Sequence, residues 1–260
     1  MGSIPFVKAS ACGNDFILVE AAQVSANLHD FTRRICDRHA GVGADGVEWL
    51  LPDPQCDIRA RLINADGSDA EISGNGTRCV AAWITSGDGK EVVRIRTDAG
   101  VKTCTMTGRN GSAYEFETMM GEPQVGDGFP IKLAFREVSG IPVSMGNPHY
   151  VLFMDEFMQG WQVEAAEIGR HHDFEHGTNV ELVRVLDGNN IEVRFFERGA
   201  GETKSSGTGS CAAAVAAIAS GKAQSPVHVH AEGGTQVVRW EGDVFLRGTA
   251  QLVCRGEFFV

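Results

Sequence analysis

No run of apolar residues in this 260-residue chain approaches the roughly 20 that a membrane-crossing helix needs. The opening residues, Met1-Gly2-Ser3-Ile4-Pro5-Phe6, contain neither the cationic nor the apolar stretch of a secretory signal, and Phe6 stands where a myristoylation motif requires Ser or Thr. Low-complexity tracts are missing, and so is any C-x-x-C pair. The seven cysteines (Cys12, Cys36, Cys56, Cys79, Cys104, Cys211 and Cys254) are odd in number and scattered. These absences lead to the expectation of a soluble, reduced, cytoplasmic protein. Positive charge is scarce as well: 23 Lys and Arg face 34 Asp and Glu, a net charge of −11. That balance weighs against nucleic acid or an anionic membrane as partner. It leaves room for a small anion held by local backbone donors.

What is abundant is glycine, at 32 residues, implying many tight turns and places where backbone can approach a ligand. The texture is mostly strand: Ile58–Ile63, Val92–Ile95, Tyr114–Phe116, Ile191–Phe196 and Val227–Val229 are short β-branched or aromatic runs bounded by turn residues. Helices are expected over Leu28–Arg38, Thr77–Ser86 and Ser210–Ser220. The last two are apolar nearly all round, as a helix wrapped by sheet would be. Both follow a Ser-Gly-x-Gly loop, Ser73-Gly74-Asn75-Gly76 and Ser206-Gly207-Thr208-Gly209.

These loops belong to an internal duplication. Gly13-Asn14 precedes the first loop by 60 positions, and Gly146-Asn147 precedes the second by the same 60. Gly43-Ala44-Asp45 and Gly177-Thr178-Asn179 recur between them in the same order. Three short motifs in register indicate two copies of one domain. The expected fold is therefore α/β (α+β): two pseudo-symmetric domains, each a barrel-like, mostly antiparallel sheet around a central helix. The turn-rich stretch Arg109–Ser112 sets the expected halves at 1–111, joined by a C-terminal strand over 251–260, and 112–250.

The first N–H groups of a helix lack intrahelical partners and lie at the positive end of its dipole. A glycine-rich helix start is thus an anion site, and two such starts suggest one binding site for a small carboxylate. Taken singly, Ser73 and Ser206 read as ordinary N-caps. Gly41-Val42-Gly43-Ala44-Asp45-Gly46 spells a dinucleotide fingerprint, but a helix precedes it and a strand follows, the reverse of the required context. No organic cofactor is expected. No metal is expected either: His171, His172 and His176 lack ligand spacing, and Asp173 and Glu175 read as a solvated turn.

The motifs taken together resemble the diaminopimelate epimerase family, cofactor-independent amino-acid epimerases. The matching stretches are Gly13-Asn14-Asp15-Phe16, Asp37-Arg38-His39 with Gly43-Ala44-Asp45-Gly46, and Asn64-Ala65-Asp66-Gly67-Ser68. They continue through Gly74-Asn75-Gly76-Thr77-Arg78-Cys79, Gly146-Asn147-Pro148-His149, Gly177-Thr178-Asn179-Val180, and Glu197-Arg198-Gly199-Ala200-Gly201-Glu202-Thr203 leading into Gly207-Thr208-Gly209. The resemblance implies inversion of an amino-acid α-carbon, LL- to meso-diaminopimelate in lysine and peptidoglycan precursor synthesis, by two-base proton exchange. It implies that Asn64, Asn147, Asn179 and Arg198 hold the distal end of the substrate, that Glu197 contacts the reacting amino group, and that Asn14 lines the pocket. The helix starts Gly74-Asn75 and Gly207-Thr208 would bind the reacting carboxylate. The bland reading of the asparagines is turn formation. A homodimer is compatible with the family.

The chain departs from the family at one point that matters: Ser73 and Ser206 occupy the two positions of its catalytic thiols. An alcohol is a weaker acid than a thiol by roughly five pKa units, on the order of 7 kcal/mol against forming the base. A helix end contributes at most about 2 kcal/mol in return. The resemblance places His149 near the first position and Glu197 near the second, where either could activate a serine or act as the base. Cys12 is the only thiol beside a site motif, and its counterpart is Met145; Cys79 and Cys211 read as core. Three readings stay open: a double Cys→Ser replacement, a relative that works through its serines with His149 and Glu197, and an amino-acid-binding protein without catalysis. An isomerase or dehydratase needing one effective base is a further alternative.

Overall fold

The computed structural model describes residues 2–260. In chain order its strands and helices begin β1 (Ser3–Ala11), β2 (Asn14–Glu20), α1 (Leu28–Cys36), β3 (Gly46–Leu51), β4 (Ile58–Asn64), β5 (Asp69–Ala70), α2 (Gly74–Asp88), β6 (Val92–Thr97), β7 (Gly100–Asn110) and β8 (Ala113–Gly121). They continue as β9 (Gln124–Val125), β10 (Phe129–Lys132), β11 (Glu137–Ser144), β12 (Pro148–Phe153), α3 (Trp161–Gly169), β13 (Asn179–Asp187) and β14 (Asn190–Glu197). The last are β15 (Gly201–Thr203), α4 (Gly207–Ala219), β16 (Val227–Ala231), β17 (Gly234–Glu241) and β18 (Asp243–Phe259). The chain forms two compact units, Met1–Thr118 with Gly248–Val260, and Met119–Arg247. Arg109–Ser112 is the turn region of the β7–β8 hairpin: Asn110 pairs with Ala113, and β8 runs on to Gly121.

In the first unit the strands follow one another as β1–β2–β3–β4–β6–β7–β8–β18 and return to β1, a closed ring of eight. Helix α2 fills it. Cys79, Val80, Ala81 and Ala82 are small enough to sit inside, against Phe16, Leu18, Leu50, Leu62, Val93, Ile95 and Phe116. Ser73 caps the helix and Gly89, at φ 74°, ends it in the left-handed conformation glycine tolerates. Helix α1 covers the outside. Its Phe31, Ile35 and Cys36 pack on Ile17, Val19, Val47, Trp49 and Ile63, the alternate residues of the same strands. Both faces of β2 and β3 are therefore buried, which is why Phe16–Val19 is an unbroken apolar run and β3 is apolar on both sides of Glu48.

The second unit repeats the order. β11, β12, β13, β14, β16, β17 and the first part of β18 neighbour one another in sequence, with β12–β13 and β14–β16 parallel, as β2–β3 and β4–β6 are in the first. Helix α4, with Cys211 through Ala217 fully buried, packs on these strands, and α3 packs on their other face. The register also repeats: Phe16 pairs with Gly46, and His149 pairs with Asn179, each 133 positions further on. No described helix is long and apolar enough to cross a membrane.

Both central helices start three residues earlier than their apolar patterns suggested. Gly74-Asn75-Gly76 and Gly207-Thr208-Gly209 form the first helical turns rather than loops. The glycines hid this because they lower helix propensity.

Candidate active site

In the first unit, Ser73 is the N-cap of α2 in extended conformation, and its Oγ accepts a hydrogen bond from the Gly76 N–H at 3.1 Å. Asn75 donates to Asn14 Oδ1 at 2.7 Å, and Asn14 in turn donates to Asp45 Oδ2 at 3.0 Å. The same Asp45 oxygen accepts from the Asp15 N–H, and Arg38 bridges Asp15 and Asp45 at 2.8 Å each. Arg78, fully buried in α2, donates to Asn75 and to Cys12 Sγ, the latter at 3.6 Å. Cys12 is the only described non-glycine residue with positive φ, at 47°. Asn64, at the end of β4, donates to Ser68 Oγ at 3.0 Å.

The second unit builds the matching place differently. Ser206 caps α4, accepts from the Gly209 N–H at 3.1 Å, and donates its own proton to Glu197 Oε1 at 2.8 Å. Glu197 ends β14 at the position corresponding to Asn64, so the duplication has placed a carboxylate beside one serine and an amide in the equivalent site of the other unit. Asn147 spans from Thr208, to which it donates at 3.4 Å, to His149 Nε2 at 3.0 Å. Asn179 donates to the Pro148 carbonyl and accepts from the Arg198 N–H, both at 2.9 Å. The Arg198 side chain reaches the His176 carbonyl at 2.9 Å.

His149 is fully buried, and its Nδ1 lies 2.7 Å from Glu181 Oε1. Burial pushes the Glu181 carboxyl above its ordinary range, and His149 pulls it back. With Nε2 donating to Asn147, the histidine and Glu181 share a proton within their own unit.

The residues that sequence reasoning missed are the two glutamates beneath the helix starts. Glu48 on β3 and Glu181 on β13 are 3 % and 0 % exposed, and each lies against the third residue of a central helix. A Cβ on Gly76 would stand 2.0 Å from Glu48 Oε1; one on Gly209 would stand 2.8 Å from Glu181 Oε1. Among the described residues Glu48 has no ion-pair partner, and burial pushes its carboxyl to about 8. A signal for them was available, since Glu48 and Glu181 are 133 positions apart, each the third residue of a mostly apolar strand, Gly46–Leu51 and Asn179–Asp187.

Away from these places, ligand atoms of His171, His172 and Asp173 lie within 4.8 Å of one another on a surface turn. Asp173 there forms ion-pair contacts with both histidines, at 3.3 and 3.4 Å.

A capped small-residue helix enclosed by strands, with the same strand order repeated in the second unit, is a fold that solved structures share. Among solved structures, a phenazine biosynthesis protein of the PhzF family from Bacillus anthracis superposes with a TM-score of 0.75 at 17% identity over 100% of both chains. A probable proline racemase from Agrobacterium radiobacter does so at 0.73 and 16% identity, over 99% of this chain and 93% of that one. The family model described as Diaminopimelate epimerase matches residues 6–126 and 141–253. Diaminopimelate epimerase of Pelotomaculum thermopropionicum is 39% identical over 97% of this chain and 98% of its own length, and that of Moorella thermoacetica 36% over the same shares. The chain belongs to the diaminopimelate epimerase family, and it is an isomerase by that membership.

Proposed function

We propose that this chain epimerises diaminopimelate at one α-carbon, with Ser73 and Ser206 working as hydroxyl relays in place of thiol bases. The observation that carries the reading is the 2.8 Å hydrogen bond from Ser206 Oγ to Glu197 Oε1 at the start of α4. A serine acting alone would have to become an alkoxide, on the order of 7 kcal/mol harder than a thiolate. A serine that hands its proton to Glu197 while accepting one from carbon never carries that charge. The Cα–H electron pair stays on the α-carbon and spreads into the substrate carboxylate, and the proton ends on Glu197. The positive dipole ends of α2 and α4, at the first turns Gly74-Asn75 and Gly207-Thr208, suit that developing charge. Asn64, Asn147, Asn179 and Arg198 hold the distal amino-acid end, and Asn14 lines the pocket.

The test is solvent deuterium entering the α-carbon of LL- and meso-diaminopimelate, followed by mass spectrometry. Exchange is expected with both isomers. Ser206→Ala and Glu197→Gln should each lower it by about 10²–10⁴ with the isomer that Ser206 deprotonates, the ordinary worth of a general acid–base group. Binding without exchange would make the chain an amino-acid-binding relative instead. Activity that survives Ser73→Ala and not Ser206→Ala, without epimerisation, would point to a one-base isomerase or dehydratase.

A further inference from the structure

Ser206 has a carboxylate to take its proton, whereas the same place in the first unit holds Asn64, whose amide is turned to Ser68. Asn64 cannot serve as a proton acceptor in its stead. A carboxyl that lies against the third residue of α2 is that of Glu48, which reaches up from β3 inside the strand ring. Gly76 is the residue that lets it in: Glu48 Oε1 fills the space a Gly76 Cβ would occupy, 2.0 Å from that point, and Ser73 Cβ lies 3.3 Å from the same point. Ser73 Oγ is bound to the N–H of this same Gly76. Both side chains therefore lie against the same glycine.

Packing gives no reason for an acid here. Leu50, its neighbour on the same inward face of β3, belongs to the apolar cluster around α2, and a residue of that kind at position 48 would bury without penalty. In the second unit, the equivalent Glu181 is offset by His149. In the first, the place of His149 is taken by Phe16, so Glu48 has no imidazole to share its proton with. On α2 itself, Arg78 is engaged by Asn75 and Cys12, and Cys79 is a thiol pushed up by burial.

We propose that Glu48 is the proton reservoir of Ser73, giving a proton to its hydroxyl as that hydroxyl protonates the substrate α-carbon, and taking one back in the reverse direction. The assignment rests on the hydroxyl-relay reading above. In the forward step, the Glu48 O–H bond breaks and a Ser73 O–H bond forms. The Ser73 proton that was there moves to carbon, where the carbanion pair becomes the new C–H bond. Glu48 is left as carboxylate and Ser73 remains an alcohol. At neutral pH the desolvated Glu48 begins with its proton on, as a donor must. Glu48 acts through Ser73 and not on substrate, so it is a positioning residue. The two units thereby differ in polarity: a carboxylate acceptor behind Ser206, a carboxylic acid donor behind Ser73.

The experiment uses the full chain and measures α-deuterium incorporation separately for LL- and meso-diaminopimelate in wild type, Glu48→Gln, Ser73→Ala and Ser206→Ala. Gln matches the shape and neutrality of the protonated acid, so the fold is retained; circular dichroism and gel filtration check it. Each serine serves one isomer. Glu48→Gln is expected to reproduce the pattern of Ser73→Ala, losing about 10²-fold or more with that serine's isomer and little with the other. Wild-type exchange with Glu48→Gln unchanged, or with both isomers reduced equally, overturns the assignment to Glu48 and leaves the relay reading standing. A wild type that exchanges neither isomer overturns both.

Discussion

The buried carboxyl of Glu48 should make the stability of this protein depend on pH in a direction opposite to that of a salt-bridged acid. Desolvation raises it from 4.5 to about 8 in the folded chain, while in the unfolded chain it titrates normally. Between those limits the folded state keeps a proton that the unfolded state has released. Stability is thus undiminished below about pH 4.5, falls as pH rises through the interval, and levels off above about pH 8. At about 1.4 kcal/mol per unit, the cost is on the order of 3 kcal/mol at pH 7 and 5 kcal/mol on the upper plateau. That is a large part of the 5–15 kcal/mol typical of a folded domain. Glu48→Gln removes the titration and leaves the volume. The assay is urea unfolding of wild type and variant at half-unit steps from pH 5 to pH 9. The variant's advantage should be small at pH 5 and should grow by several kcal/mol by pH 8. Glu181 is buried too, but it is present in both proteins, and its contribution cancels in the difference. A difference that stays flat across the interval would refute the reasoning, because it would mean that Glu48 is ionised in the fold and partnered or hydrated there.

Restoring thiols, Ser73→Cys with Ser206→Cys, should raise the exchange and epimerisation rates with diaminopimelate, since a thiol removes most of the roughly five-unit handicap of the alcohols. A coupled optical or chromatographic assay reads this directly, and no gain would mean that the rest of the pocket no longer matches that substrate. Gly76→Ala should destabilise by about 1–3 kcal/mol, because the new methyl meets Glu48 Oε1 at 2.0 Å. Glu48→Ala in the same chain should recover most of that loss. Thermal unfolding of the single and double variants tests whether the two positions compete for one space.

Much of this architecture could be read from residues because duplication writes the same message twice. The Gly13-Asn14 and Gly146-Asn147 pairs, each 60 positions before a Ser-Gly-x-Gly segment, pointed to two copies of one domain before any strand was placed. The apolar stretches after those segments gave the central helices, since a helix without a polar face has to be enclosed. Their starts were missed by a turn, as the local propensity of Gly74 and Gly207 argues against helix while the caps Ser73 and Ser206 and the surrounding sheet decide for it. The site was legible as a set of positions and not as a network. Nothing local to Glu197 reveals that it accepts from Ser206, and nothing local to His149 reveals that it turns to Glu181. Such contacts arise from strand register, His149 opposite Asn179 and two residues along from it Glu181, which only the paired sheet displays. Glu48 escaped for a simpler reason: a lone acid in Gly-Val-Glu-Trp-Leu-Leu looks like the polar side of an alternating strand, when both sides are buried.

The course of β18 bears on how the chain is made. Its first residues pair with β17, Val237 with Arg247, and its last pair with β1, Ser3 with Phe259. β1, made long before β18, therefore waits for that strand before its ring can close. Until then, β1 offers an unpaired edge and α2 lacks part of its enclosure, an exposure that favours misassembly while synthesis continues. A contact spanning nearly the entire chain also slows closure, because loop entropy is lost before the pairing is gained. The later unit, continuous in sequence from Met119 to Arg247, has no such delay and can complete itself first. Birth order and folding order would then run opposite ways, with the younger half ready to template the closing strand for the elder.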